Sequence, residues 1–180
     1  MPTVPGLIAD VVVARERVIA AVEDMSPAQA AFRPGPEEWS ATEVIEHLVL
    51  AEQSGINRIW QAAEGQRQGR PVWSGEAVHR GLPIEEVIVR TWRDKELAPP
   101  NATPEAGGPL AYWTACLRAC QPVLETLGAA LDGLDLTAVI FPHFLSGPLD
   151  AYQRLEFLRW HLDHHRAQVA DIKAALDYPR

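Results

Sequence analysis

The stretch that decides the fold is residues 155–176, which read LEFLRWHLDHHRAQVADIKAAL. Its inward-facing positions recur at alternating spacings of three and four residues, the pattern of an amphipathic helix with one buried face. These positions are Leu155, Leu158, Leu162, His165, Val169, Ile172 and Leu176, with His161 and Gln168 on the flank. The pattern predicts a long helix that turns histidine as well as leucine toward the core.

Three earlier segments show the same periodicity and are predicted to pack against this helix. They run from Leu7 to Glu23, from Ala41 to about Gly65, and from Leu110 to Leu131. Pro122 lies inside the last of them, where the loss of one backbone hydrogen bond should kink the helix. Because no segment shows strand-like alternation, the sequence indicates an all-α fold, a four-helix bundle with a long crossing connection between helices two and three.

The start of the second helix has the clearest local signal. Ser40 can accept the backbone N–H of Glu43 while the Glu43 carboxylate reaches back to the N–H of Ser40, which is a capping box. Trp39 can pack on Val44 as a hydrophobic staple. These residues place the first helical residue at Ala41.

Glycine and proline divide the remaining segments. The crossing connection, residues 65–108, contains many of both and is predicted to hold one shorter helix from Pro83 to about Leu97. A helix of one or two turns is predicted after Ser26, which is followed by proline and, three residues on, by glutamine. Residues 132–150 are expected to form a loop.

The length, charge and apolar content of the sequence indicate which classes of protein it can belong to. The chain has 180 residues, enough for a single domain over residues 1–180 with a substantial core. Its net charge of -8 and the lack of any dense basic run argue against a nucleic-acid partner. The first residues do not resemble a leader and no stretch approaches about eighteen consecutive apolar residues, so no membrane partner and a cytoplasmic location are expected.

His161 and His165 stand four residues apart, so on a helix their side chains share one face, one turn apart. Two imidazoles so placed can bind one metal ion, and neutral imidazole suits zinc, nickel, copper or iron. His47, on the inward stripe of the second helix, is the best candidate for a third ligand. Three histidines on a divalent ion leave coordination positions open, which is typical of catalytic rather than structural sites.

Several known metal motifs do not match. A zincin needs glutamate directly after its first histidine, where Leu162 stands. A di-iron bundle needs glutamate three residues before a histidine, but Val44 precedes His47 and Leu158 precedes His161. The alternative to a mononuclear, histidine-only site is a set of core histidines satisfied by hydrogen bonds, because a buried polar group without a partner costs free energy.

Three further residues are candidates for the chemistry around such a site. Glu43, one turn before His47, could act as a base or support a ligand, although the capping box explains it equally well. Gln168 stands near His165 on the inner face and could orient that imidazole. His143 lies in a loop that could reach the site, and a surface role or a supporting role near the ligands is favoured for it.

The motifs are similar to those of the DinB-like superfamily, also called YfiT-like metal-dependent hydrolases. The matching residues are Trp39-Ser40 with Glu43 and His47-Leu48, the pattern His161-x-x-His164-His165-x-x-Gln168, and the loop from Pro142-His143 to Gly147. Arginine is common in the family where this chain has His164, which is expected to be exposed. The resemblance covers nearly the whole chain.

The resemblance implies a four-helix bundle in which His47, His161 and His165 bind nickel, zinc or a related divalent ion. Characterised relatives include thiol-dependent S-transferases and isomerases. The resemblance therefore implies a metal-dependent enzyme, an S-transferase or a hydrolase, that activates a low-molecular-weight thiol or water toward a small-molecule substrate. The alternative is a non-catalytic, stress-associated bundle that binds metal or a small ligand. A homodimer is the assembly that the family suggests.

Overall fold

The computed structural model describes residues 2–93 and 96–180. Over these residues the chain is mostly helical, with six α-helices and a two-stranded sheet. The elements in order are α1 Val4–Ala20, α2 Pro27–Ala31, α3 Ala41–Arg67, α4 Ile84–Thr91, a 3-10 turn Pro100–Ala102, α5 Leu110–Ala130, β1 Ile140–His143, β2 Gly147–Asp150 and α6 Ala151–Ala174. None of the helices described has the length and apolar character needed to cross a membrane. The predicted predominance of helix is confirmed.

The four long helices α1, α3, α5 and α6 form the main core. Helix α3 packs against α5 and α6, and α1 packs against the same two helices. Each long helix contributes fully buried apolar side chains, among them Val11, Ile45, Leu117 and Leu155. Burying one side chain of this size contributes about 1.5–3 kcal/mol, so packing rather than intrinsic helix propensity holds this arrangement together.

The predicted bounds of the long helices are close to the observed ones, with an error at the C-terminal end of α6. Helix α6 ends at Ala174, and Leu176, which the pattern placed on the buried stripe, is fully exposed. Pro179 follows shortly afterwards, as is common where a helix stops. The prediction for Leu176 was wrong because apolar periodicity alone carries no signal for the last turn of a helix.

Helix α3 starts at the predicted capping box. Ser40 Oγ accepts the N–H of Glu43 at 3.3 Å, and Glu43 Oε2 accepts the N–H of Ser40 at 2.8 Å. The second carboxylate oxygen of Glu43 is paired with Arg33. Such a cap stabilises a helix by about 1 kcal/mol relative to alanine. The same reciprocal bonds between Ser26 and Gln29 confirm the short helix α2.

The crossing connection contains a shorter helix than predicted. Helix α4 spans Ile84–Thr91, whereas the sequence predicted a helix from Pro83 to about Leu97. The backbone becomes extended at Trp92, with φ -98° and ψ 154°, so the prediction was wrong from that residue onward. Asp94 and Lys95, which the predicted helix included, lie outside the described residues.

Residues 140–150 form a hairpin where the sequence indicated a loop. Strands β1 and β2 pair antiparallel, with Phe141 opposite Leu149 and Pro142 opposite Pro148. Proline lacks an N–H and is rare inside sheets, so these residues do not read as strands. A two-stranded sheet tolerates proline because each strand is an edge, and Leu149 is buried against α4. The expectation of a loop was wrong for this segment.

One ion pair lies inside the core, between α1 and α3. Arg15 Nε donates to Glu52 Oε2 at 3.4 Å, and Arg15 Nη2 donates to the other carboxylate oxygen. The two side chains are 0% and 3% exposed. Burial raises the pKa of Glu52, while the hydrogen bond and charge of Arg15 act in the opposite direction. The pair joins α1 to α3 through the core.

Candidate metal centre

Three histidines from two helices meet at one point. His47 lies on α3, and His161 and His165 lie one turn apart on α6. The Nε2 atom of His161 is 3.2 Å from that of His47 and 3.1 Å from that of His165. All three side chains are buried, and one potential ligand atom from each lies within 4.8 Å of the others. This group could hold a metal ion.

Hydrogen bonds on the outer side of two rings decide which nitrogen faces the centre. His47 Nδ1 lies 2.7 Å from the carbonyl oxygen of Ala102, which can only accept, so Nδ1 carries the ring proton. His165 Nδ1 lies 2.7 Å from Gln168 Oε1 and donates to it in the same way. In the neutral rings, the Nε2 atoms of His47 and His165 are therefore unprotonated and directed at the centre. Contacts of this kind orient histidine ligands in metal sites.

Where the three rings meet, nitrogen lone pairs outnumber the N–H groups that could donate to them. A proton on His161 Nε2 can satisfy His47 or His165, but not both. If the His161 ring proton is on Nδ1 instead, three lone pairs face one another. In either tautomer at least one buried acceptor has no donor within the cluster, which costs about 1–3 kcal/mol. A divalent cation can accept all three lone pairs, so these residues fit a metal ion better than a hydrogen-bonded core.

Burial keeps the three imidazoles neutral. It lowers the pKa of His47, lowers that of His161 well below its ordinary value, and lowers that of His165 to about 3. Repulsion from neighbouring imidazoles lowers all three pKa values further. Neutral imidazole is the form that binds a metal. The centre is therefore able to bind at neutral pH without first losing protons.

The metal-free protein should lose stability as the pH falls below about 6.5, the ordinary pKa of histidine. The folded pKa values of His161 and His165 are lowered, so the unfolded chain binds protons more tightly. Their contribution to stability is complete above the unfolded pKa and is lost as the pH falls toward the folded pKa, by about 1.4 kcal/mol per pH unit for each group. Urea denaturation at about pH 7.5 and 5.5 should show a loss of about 2–4 kcal/mol.

The control for this pH dependence is a variant with His47, His161 and His165 all changed to leucine. It should show a clearly smaller loss of stability between the same two pH values, because the titrating groups have been removed. An equal loss in the two proteins would assign the pH dependence to other residues.

Aromatic rings cover two sides of the cluster. The ring centre of Trp39 lies 4.9 Å from that of His47, and the Trp39 ring stacks on His165 at 6.4 Å. Phe157 stacks on His161 at 5.4 Å. These rings give the cluster an apolar surrounding on two sides, and in a less polar surrounding electrostatic interactions are stronger than in bulk water.

The histidines line an open cavity of about 1220 Å³, which is large enough for a small molecule. Its walls come from residues 34–39 before α3, from α3 and α6, from the crossing connection and from the hairpin. Trp92 also lines this cavity. Trp60 packs against the core and Trp73 is exposed.

Glu43 and Gln168 occupy different places relative to the cluster. Gln168 touches His165 directly. The Glu43 carboxylate is taken up by the α3 cap and by Arg33, and Glu43 does not line the cavity. His164 is exposed, as expected, and stacks on Trp160. Of Glu43, Gln168 and His164, only Gln168 therefore forms a hydrogen bond with a histidine of the cluster.

His143 is not the surface residue that the sequence suggested as one option. The hairpin turns its ring inward, where it is 8% exposed and lies 4.6 Å from the ring of Phe157. Its Nδ1 accepts the N–H groups of Leu145 and Ser146 at 3.3 and 3.2 Å, so the neutral ring carries its proton on Nε2. Burial lowers the pKa of His143 to about 3, helped by two nearby arginines. It is therefore a neutral hydrogen-bond donor on the cavity wall.

Two groups that support the cluster were not predicted. The carbonyl of Ala102 lies in the crossing connection, and a backbone carbonyl leaves no mark in the sequence. Glu46 precedes His47 and accepts the N–H groups of residues 105–107 at 2.7, 2.7 and 3.1 Å. A glutamate on a largely buried stretch of helix could have been noticed, because a buried carboxylate needs several donors.

Comparison with known proteins identifies the family. The family model described as the DinB superfamily matches residues 11–169, which run from α1 to α6 and include the three clustered histidines. Neither the search of curated proteins nor that of solved structures gave a match. Since the family model covers most of the chain, this protein belongs to the DinB superfamily.

Proposed function

We propose that this protein is a metal-dependent enzyme with a mononuclear nickel or zinc centre on His47, His161 and His165, set in a four-helix bundle of α1, α3, α5 and α6. The observation that carries the proposal is the surplus of buried lone pairs. Three Nε2 atoms converge, with neighbouring pairs 3.1 and 3.2 Å apart and at most one proton to share among them. A cation resolves that surplus, and neutral imidazole is a preferred ligand of both metals.

The chemistry follows from three neutral ligands and an open side. A divalent ion in such a site supplies a Lewis acid that lowers the pKa of a thiol or of water. The ligands bring no negative charge of their own, which favours an anionic nucleophile. Gln168 and the carbonyl of Ala102 keep two imidazoles in the required tautomer. Trp39 and Phe157 shield the cluster, and the cavity admits a substrate from the remaining side.

The reaction that we propose is attack of a low-molecular-weight thiol on a small electrophile, in which the sulfur forms the new bond, the displaced group leaves with its electron pair and the thiol proton passes to solvent. When water takes the place of the thiol, the same displacement is a hydrolysis. The size of the cavity and its aromatic wall at Trp39, Trp92 and Phe157 support a small, partly apolar electrophile. Glu43 is engaged in the helix cap and is not proposed as the base.

Elemental analysis tests the centre, and a thiol assay tests the reaction. Protein purified without chelator or metal-affinity resin should contain about one nickel or zinc ion per chain, and a variant lacking all three histidines should contain none. The metal-loaded protein should then accelerate the reaction of cysteine or glutathione with monochlorobimane, and metal-free protein should not. Stoichiometric metal without turnover of thiol or water would favour the alternative, a non-catalytic bundle that binds metal or a small ligand.

Gln168→Ala should weaken metal binding without abolishing it. The change removes the acceptor that holds the Nδ1 proton of His165, and loss of such a contact lowers metal affinity by about 10–100-fold. Competition with a chromogenic chelator measures the affinity. Gln121→Ala is the matched control, because Gln121 bonds Glu125 on α5 and lies outside the cavity that holds the histidines. Equal metal affinities of the wild type and Gln168→Ala would show that Gln168 does not orient His165 for metal binding.

A further inference from the structure

Arg154 is a buried charge without a partner. It lies on α6 with 5% of its surface exposed, and its Nη1 atom makes no hydrogen bond. Within residues 2–93 and 96–180 no carboxylate forms an ion pair with it. Asp150, the last residue of β2, caps α6 by accepting the N–H of Gln153 at 3.0 Å. A buried charge is costly unless it is paired, so Arg154 points to a ligand of opposite charge.

Arg58 and His143 bring two further donors to the same place. The Arg58 guanidinium lies over the ring of Phe141 and donates to Ser54 Oγ, and it has no ion pair with a carboxylate of the described residues. His143 carries its proton on Nε2 because its Nδ1 accepts backbone N–H groups. The positive charges of Arg154 and Arg58 both lower the pKa of His143, which reflects their proximity. All three residues line the cavity that holds the histidine cluster.

The acids that line the same cavity lie away from Arg154 or are already engaged. They are Glu37, Glu38, Glu96 and Asp171. Glu37 and Glu38 directly precede α3, so they lie near its N-terminal end, the end that carries His47. Glu96 accepts the N–H of Arg93 at 2.9 Å. Asp171 is about 25 Å from Arg154 along the axis of α6. None of these four carboxylates forms an ion pair with Arg154 or Arg58 among the described residues.

We propose that Arg154, assisted by Arg58 and His143, binds the anionic end of the small molecule on which the histidine centre acts. Arg154 stands seven residues before His161 on the inward face of α6, about 10 Å along the helix axis. A guanidinium binds carboxylate or phosphate oxygens through two parallel hydrogen bonds. The substrate is therefore a small molecule that carries a carboxylate or phosphate at the end opposite to its reacting atom. The assignment of the other end of the substrate to the histidine centre rests on the proposed function. Binding of the anion by Arg154 does not require the metal.

Titration of the metal-free full chain tests the anion site. Hexanoate, hexyl phosphate and uncharged hexanamide are added in turn to ¹⁵N-labelled protein, and the backbone and Trp92 indole N–H signals are followed. Trp92 is a suitable reporter because it lines the cavity and its indole donates to Ser146 Oγ. Saturable binding of one or both anions, with hexanamide binding at least about tenfold more weakly, is expected. The tighter of the two anions identifies the group that the site prefers.

Arg154→Met is the decisive variant, because methionine fills similar space without charge. It should weaken anion binding by at least about tenfold. It should also fold, since replacing an unpaired buried charge by an apolar side chain is neutral or stabilising. Arg159→Met is the matched control: Arg159 is on the same helix but pairs with Glu85 outside the cavity, so anion binding should be unchanged.

Several results would overturn the anion site. These are equal binding of hexanamide and hexanoate, wild-type affinity in Arg154→Met, or no binding of either anion. If Arg154→Met does not fold, the comparison of anion with amide on wild type and the effect of Arg58→Met decide the question. Because the protein carries no metal in this experiment, its failure leaves the metal centre untouched. Conversely, a failure to bind nickel or zinc leaves the anion titration valid.

Discussion

Replacing His165 by alanine should reduce the metal content from about one ion per chain to less than about a tenth of an ion. The change removes one of three converging nitrogens, and the one that Gln168 holds in position. Structural zinc sites bind with about 10–16 kcal/mol, so loss of one of three ligands should lower the affinity by about a thousandfold or more. Elemental analysis after dialysis against metal-free buffer measures the remaining ion.

His164→Ala is the matched control for this prediction. His164 is the adjacent residue, and its exposed ring stacks on Trp160 and meets the His165 ring edge-on at 5.1 Å. It is not one of the three residues whose nitrogens converge. This variant should retain the wild-type amount of metal. Full stoichiometric metal in His165→Ala would disprove the three-histidine site, and equal loss in both variants would mean that the bound metal is not specific to the cluster.

Glu52→Leu should destabilise the fold by about 3–5 kcal/mol, because it leaves the guanidinium of Arg15 buried without its counter-charge. Arg15 is 0% exposed, and its Nη1 atom already has no hydrogen-bond partner, so the remaining charge has no route to water. Urea denaturation gives the change in the free energy of unfolding from the shift in midpoint.

The double variant Arg15→Met with Glu52→Leu should recover most of that loss, since apolar side chains of similar volume often replace a buried ion pair without cost. Glu23→Leu serves as the control, because Glu23 pairs with Arg118 in an exposed position where ion pairs contribute about 0–1 kcal/mol. If Glu52→Leu were no more destabilising than Glu23→Leu, the pair between α1 and α3 would not be buried in solution.

Local signals were enough to predict the four long helices and the placement of His161 and His165 on one helix face. Helix α3 begins at Ala41 because Ser40 and Glu43 satisfy its first N–H groups, and both residues are visible in the sequence. His161 and His165 share a face because they are one helical turn apart. That His47 meets them depends on the packing of α3 against α6, which the periodicity of the two helices suggests but does not determine.

Contacts between distant segments could not be predicted in the same way. Arginine near the start of a helix is usually exposed, and only the packed structure shows that Arg154 is buried. His143 was expected in a loop, and loops usually lie at the surface. Its burial follows from the hairpin. The sequence did not predict this hairpin because Pro142 and Pro148 argue against strands. Ala102 contacts His47 through its backbone carbonyl, so no pattern of side chains in the sequence could predict this hydrogen bond.

Glu46 and His47 are consecutive residues, and together they fasten the crossing connection to one turn of α3. Glu46 holds the N–H groups of residues 105–107, and His47 holds the carbonyl of Ala102. Motion that releases this loop therefore also frees the His47 ring to rotate. The amides of residues 105–107 thus act as a natural reporter of the centre, and their hydrogen exchange should slow when the three imidazoles are held by an ion.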